Sequence, residues 1–205
     1  MASRKPGVRD RILGAASQLF YRRGIRCVGV DAIATEAGSN KMSLYRHFRS
    51  KEQLVAEYLR SRIREAWEHW DATIVPLQGN PRRQFEALFA AHLAKDKACR
   101  GCALANVAIE IADGDHLLLA LVREFKVEMR ERLRKIAHEL GARDPSALGD
   151  ALMLLMDGSD FTSLVFRCNT GPTTSLMFAA NALIDSQLSA QQRIVHRERS
   201  RRRWK

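Results

Sequence analysis

Two short stretches concentrate the side chains able to do chemistry or grip a polyanion. The first, "GSNKMSLYRHF" at residues 38 to 48, sets a lysine, a tyrosine, an arginine and a histidine among small hydroxyls and an amide. The second, "CRGC", spaces Cys99 and Cys102 as half of a zinc site or as a redox pair, and Arg100 is placed to lower a thiol pKa. No second CxxC and no histidine pair at finger spacing completes a metal site, so a structural turn at a helix entry stands beside a thiol- or metal-responsive role. There is no phosphate-cradling glycine loop, HExxH, GxSxG or convincing acid pair. No catalytic residue, metal or cofactor is therefore expected. The alternative of another class is a helical metal- or thiol-dependent enzyme built on Cys99, Cys102 and nearby histidines.

A third set of polar groups lies in apolar surroundings. Asn106 and Glu110 stand one helical turn apart in "CALANVAIEIA", and Asp157, Ser159 and Asp160 interrupt an apolar helix at Gly158. Trp67, Trp70, Phe89, His92 and Phe161 could wall a cavity. The candidate effector-binding set is Trp67, Trp70, His92, Asn106, Glu110, Asp157 and Phe161. The competing assignment is that Asn106 and Glu110 brace neighbouring loops and that the aromatics are packing.

The elements that must carry these groups are helical almost throughout. Ile12, Ala15, Ala16, Leu19 and Phe20 follow the stripe of a core-facing helix closed at Gly24. Val30, Ile33, Ala34 and Ala37 repeat the pattern over a second, short helix, and Gly38 turns the chain. Asn40 is an N-cap for a third helix over about 41 to 48. Ser50 and Gln53 form a capping box opening a fourth, which runs to about Ile74 before Pro76. Later helices are expected over roughly 81 to 96, 103 to 112, 115 to 140, 145 to 169 and 173 to 189.

At 100° per residue the third helix sorts by face. Leu44 and Phe48 point inward, Arg46 points most directly outward with Met42 and Ser43 beside it, and Tyr45 and His47 lie on the flanks. Two helices joined by a tight glycine turn, the second polar and basic, form a helix-turn-helix suited to the major groove. Outward groups reach base edges, and Tyr45, His47 and Lys51 reach phosphates. A polar turn in an ordinary helical bundle is the competing interpretation.

Charge favours a polyanion at one end of the chain. The net charge of +11 divides into +8 for residues 1 to 66, −3 for 67 to 190 and +6 for 191 to 205. No apolar run approaches the roughly 18 residues that span a bilayer, and "MASRKPGVRD" lacks a signal-peptide core. A cytoplasmic protein with reduced thiols and no membrane association is expected.

Residues 9 to 59, "RDRILGAASQLFYRRGIRCVGVDAIATEAGSNKMSLYRHFRSKEQLVAEYL", resemble the N-terminal domain of TetR-type (TetR/AcrR) transcriptional regulators. The likeness rests on the A-x-x-L-F end of helix 1, I-A-x-x-A-G in helix 2, L-Y-x-H-F in the recognition helix and S-K-E-x-L at the start of helix 4. It implies that Lys41, Met42 and Arg46 read bases while Ser43, Tyr45, His47 and Lys51 mainly hold the backbone. Gly29 stands where the family commonly has a capping threonine, Ser39 where an apolar turn residue is usual, and Asn40 where a serine caps.

The resemblance implies an all-α fold in three segments. Residues 6–66 form a three-helix DNA-binding domain with its helix-turn-helix at about 29–48, and 67–190 form a helical ligand-binding and dimerisation domain. A basic tail, 191–205, carries six arginines and is expected to lack structure in isolation. The segment "ALMLLMDGSDFTSLVF" is apolar almost all round, which calls for a partner subunit; in TetR-like proteins the last two long helices pair with their copies. The function so implied is a homodimeric repressor on a palindromic operator of double-stranded DNA, released by a small-molecule effector, with helix 4 as the lever.

Overall fold

The computed structural model describes residues 6–94, 100–111, 116–166 and 170–189, and among these residues every regular element is a helix. In chain order they are α1 (Val8–Arg23), α2 (Val30–Glu36), α3 (Lys41–His47), α4 (Lys51–Ile74), α5 (Pro81–Leu93), α6 (Ala103–Ile111), α7 (His116–Leu140), α8 (Pro145–Phe166) and α9 (Leu176–Gln187), with 3-10 turns at Val75–Leu77 and Gly171–Ser175. The fold is all-α, with a helix-turn-helix in its N-terminal helices and a helical bundle after it. No helix among the described residues is long and apolar enough to cross a membrane.

Two compact units are present: Met1–Glu65 with Cys102–Glu124, and Ala66–Gly101 with Phe125–Lys205. The first unit therefore includes α6 and the start of α7 together with α1 to α3 and much of α4. The stripe expected for α1 is buried, as are Ile33 and Ala34 of α2, Leu44 of α3, Phe48, and Leu54, Val55, Tyr58 and Leu59 of α4. Phe20 and Tyr58 stack at 5.6 Å between centroids, joining α1 to α4.

In the second unit the stripe of α7 buries Phe125, Met129, Leu133, Ile136 and Leu140. It meets α8 at a close crossing, where a Cβ on Gly149 would lie 2.8 Å from the Arg134 backbone nitrogen. Beside that crossing Asp150 accepts two hydrogen bonds from each of Arg130 and Arg134, at 2.7 to 2.9 Å. These guanidinium donors hold its carboxyl well below the usual carboxylate range. Arg82 of α5 reaches Asp185 and Asn181 of α9.

Helices α5 to α8 begin where expected, with Asp144 capping α8 through the Ala147 N–H at 2.9 Å. They end sooner. Helix α5 stops at Leu93, and the segment expected to start a last helix at 173 is a 3-10 turn over Gly171–Ser175, with Pro172 in its first turn, before α9 begins at Leu176. Helix α8 buries Leu148, Leu152, Met156 and Ser159 but leaves Leu154, Phe161, Leu164, Val165 and Phe166 exposed, as does α9 with Phe178.

Candidate nucleic-acid interface

The α2–α3 corner is built from local hydrogen bonds. Gly38, at φ +57°, takes the left-handed position that ends α2. The Ser39 N–H donates to Ala34 O at 2.9 Å and the Gly38 N–H to Thr35 O at 3.0 Å, the paired bonds of a Schellman turn. Arg11 Nε donates to the Ala37 carbonyl at 3.2 Å, tying the turn to α1. Asn40 Oδ1 accepts the Ser43 N–H at 2.8 Å, satisfying one of the free donors at the start of α3. Gly29, before α2, supplies no side-chain cap.

The α3–α4 corner closes reciprocally: the Gln53 N–H donates to Ser50 Oγ at 3.1 Å, and Gln53 Oε1 accepts the Arg49 N–H at 2.6 Å. This is a capping box with its return bond one residue early. Phe48, buried behind the corner, carries the Arg9 guanidinium 5.2 Å from its ring centre, and Arg9 also pairs with Glu57 at 2.8 Å. Arg9 and Arg60 hold the Glu57 carboxyl below its ordinary value against the opposing effect of desolvation.

On this frame α3 has two chemically distinct sides. Leu44 is fully buried, whereas Met42 is 75% exposed and Lys41, Tyr45, Arg46 and His47 are exposed around it. Ser43 and Lys51 are half-buried. Lys41 Nζ lies 3.5 Å from the Asp31 carboxylate, both exposed, a pair that solvent screens strongly. A seven-residue helix thus presents a cation, a thioether, a phenol, a guanidinium and an imidazole on one side, held by a single buried leucine and the phenylalanine after it. That surface matches the reach and chemistry of major-groove edges and flanking phosphates.

Of the candidate effector residues, Asn106 and Glu110 lie in the first unit; Trp67, Trp70, His92, Asp157 and Phe161 lie in the second. Glu110 accepts the Arg26 N–H at 2.9 Å. In the second unit Trp67 meets Trp70 edge-on at 5.9 Å and Phe125 at 4.8 Å, with the Arg132 guanidinium 4.0 Å from its ring centre. His92 Nε2 lies 2.8 Å from Ser159 Oγ and 3.4 Å from Asp160, so two of the polar interruptions in α8 face a buried imidazole on α5. Asp157 pairs instead with Lys126. Phe161 is 65% exposed, on the outer face of α8.

A cavity of about 490 Å³ lies in the second unit among the ends of α4, α5 and α7. It is lined by Ile74, Val75, Ile136, Gln84, Arg132 and Lys135, among others, and by none of the seven candidates. The residues that shape it are far apart in sequence and close only where three helices end. The one local sign is the turn from Pro76 through Gly79 to Asn80 and Pro81. Of the "CRGC" pair, Cys102 is a half-buried free thiol before α6, whose carbonyl accepts the Asn106 N–H, and Cys99 lies outside the described residues. The tail at 191–205 also lies outside them. No group of three metal-ligating side chains forms among the described residues.

Residues 12–58 match the family described as bacterial regulatory proteins, tetR family. The chain is 30% identical over 159 residues to the HTH-type transcriptional repressor KstR2 of Rhodococcus jostii, covering 72% of each chain. It is 48% identical over 52 residues to the KstR2 of Mycolicibacterium smegmatis, 25% of each chain. The fold superposes on the crystal structure of SCO4454, a TetR-family transcriptional regulator from Streptomyces coelicolor, with a TM-score of 0.79 at 25% identity, covering 88% of this chain and 95% of that one. The matched residues begin in α1 and end in α4, so they span the two-sided α3 and both corners that hold it. The likeness to the Rhodococcus repressor extends across most of both chains, and with it this chain belongs to the tetR family, as a DNA-binding transcriptional regulator and not an enzyme.

Proposed function

We propose that the chain is a homodimeric repressor that occupies a palindromic operator and leaves it when a small molecule binds. The observation that carries the DNA contacts is the division of α3, with Leu44 and Phe48 inward and Lys41, Met42, Tyr45, Arg46 and His47 outward. In this reading Lys41, Met42 and Arg46 read base edges, Arg46 by bidentate pairing with guanine and Met42 against a thymine methyl. Ser43, Tyr45, His47 and Lys51 hold phosphates, in a domain spanning 6–66. Repression is supported by the activity named for the Rhodococcus relative. The dimer is supported by the uncovered apolar face of α8 and α9, and dimers on DNA place paired recognition helices about one helical turn apart.

A response to a small molecule is supported by the cavity beside α7, whose volume of about 490 Å³ lies within the range of small-molecule sites. Arg132 both lines it and stacks on Trp67, so occupancy should alter tryptophan emission.

Selection of duplexes from a random pool, followed by binding measurements on variants, tests the DNA reading. Arg46→Ala should lose about 1–3 kcal/mol and relax the preference at one base pair per half-site, whereas His47→Ala should weaken all duplexes alike and reduce the salt slope. An Arg46→Ala protein that selects the wild-type sequence with unchanged affinity would remove Arg46 from base reading. For the effector, compounds that change tryptophan emission saturably should also release the selected duplex. Release that leaves emission unchanged would place the effector elsewhere.

A further inference from the structure

Glu110 is set where local helix chemistry disfavours it. It is the penultimate residue of α6, a helix with no base in its last turn, and a carboxylate there faces the negative end of the helix dipole. Departures from a local rule tend to mark a compensating interaction elsewhere. Here the compensation comes from a turn 84 residues away in sequence. Glu110 Oε2 accepts the backbone N–H of Arg26 at 2.9 Å.

The receiving turn is shaped to admit the carboxylate. Gly24 sits at φ +83°, and a Cβ built on it would lie 2.8 Å from Glu110 Oε1 and 3.0 Å from Oε2. The carboxylate therefore occupies the space any other side chain would claim. On either side of Arg26 the turn is anchored by Ile25 and Val28, both buried, and the Gly24 N–H is committed to Phe20 O at 2.9 Å. This turn leads directly into α2, the first helix of the helix-turn-helix. Along the chain, α6 lies between the two points where the chain changes unit, Gly101 to Cys102 and Glu124 to Phe125.

We propose that Glu110 is a positioning residue for DNA binding: its carboxylate docks the end of α6 on the α1–α2 turn, so that the placement of α6 sets the placement of α2 and α3 and thereby operator affinity. The residue touches no DNA itself. It acts through the Arg26 amide and the Gly24 clearance. A glycine at 24 and an acid at 110 form one device: Gly24 also closes α1 at its positive φ, whereas the acid at 110 is not explained by its own helix.

The test uses the full-length protein, with duplexes that the wild type selects from a random-sequence pool as probe. Amide hydrogen exchange at Arg26 and duplex affinity are measured for Glu110→Ala, Glu110→Asp and Glu110→Gln. Alanine removes the acceptor, and aspartate keeps the charge but draws the oxygens back by a methylene. Both should deprotect the Arg26 amide and lower duplex affinity by about tenfold, within the range of coupling between sites, with an unchanged salt slope because no phosphate contact is lost. Glutamine keeps an acceptor oxygen, and affinity within about threefold of wild type is expected, together with retained protection. Should Glu110→Ala fail to fold, the aspartate and glutamine pair carries the same comparison. Arg26 deprotected with affinity unchanged would leave only a structural brace and overturn the proposal. So would unchanged exchange at Arg26 in the alanine and aspartate proteins, or equal losses for glutamine and alanine. Wild-type protein that selects no duplex would instead refute the DNA contacts assigned to α3.

Discussion

Tyr58 shows how a single buried group in the DNA-binding unit fixes a pH limit. It is 1% exposed, packed on Phe20, and burial pushes its phenol from 10.0 up to about 12. For an acid whose folded pKa is raised, the neutral form is favoured by the fold. The stabilisation is complete below the unfolded pKa and is lost as pH rises through the interval between the two values. Wild type should therefore weaken relative to Tyr58→Phe by on the order of 1 kcal/mol at about pH 11, with the two proteins changing in parallel below about pH 9. Urea unfolding of both proteins across that range checks it, and parallel curves throughout would show that the phenol is not desolvated. Legibility in the sequence follows the reach of each interaction at this scale. The Asn40 cap and the Ser50–Gln53 box were legible because donor and acceptor stand three or four residues apart. The partners of Glu110 and His92 were not, because Arg26 and Ser159 come close only through the fold.

Helices respond to glycine according to what faces it. In an open helical position alanine is favoured over glycine, since glycine gives up more backbone freedom. Gly14, exposed in α1, has nothing within 4 Å of a built Cβ, and Gly14→Ala should stabilise by roughly 0.5–1 kcal/mol. Gly149 in α8 is the opposite case. Its Cβ would stand 2.7 Å from Arg134 Cγ and 2.8 Å from Arg134 N, and backbone cannot step aside as a side-chain tip can. Gly149→Ala should destabilise by about 1–3 kcal/mol by forcing α7 and α8 apart. Thermal unfolding should move the two melting points in opposite directions, and a rise for both would mean that the α7–α8 crossing is looser than this geometry. The same crossing marks a limit of periodicity: the apolar stripe of α7 fixes which face is buried, but not that Gly149 is where α8 comes nearest. The face of α8 was harder still. With apolar residues almost all round, only the packed helix separates the inward Leu152 and Met156 from the outward Leu154 and Phe161.

In the proposed homodimer, the exposed apolar face of α8 and α9 and the basic N-terminal segment would serve one requirement. A single α3, with one arginine facing outward among its candidate base readers, offers limited free energy for discriminating sequence. Two copies held together convert the second half-site contact into an intramolecular event, which raises avidity by about 10²–10⁴ without any new contact. Phe178 is the sharpest place to break that linkage. At 77% exposure it contributes little to packing within its own chain, so a charge there should leave the subunit folded while opposing burial against a second copy. Phe178→Glu is expected to convert the protein to monomer in mass photometry with its circular dichroism preserved. Affinity for a duplex carrying both half-sites should then fall by at least about 100-fold, while affinity for a single half-site stays that of wild type. A variant that remains dimeric and binds the full site as before would mean that the exposed apolar face is not what joins the two subunits, and that the recognition helices are paired through another surface.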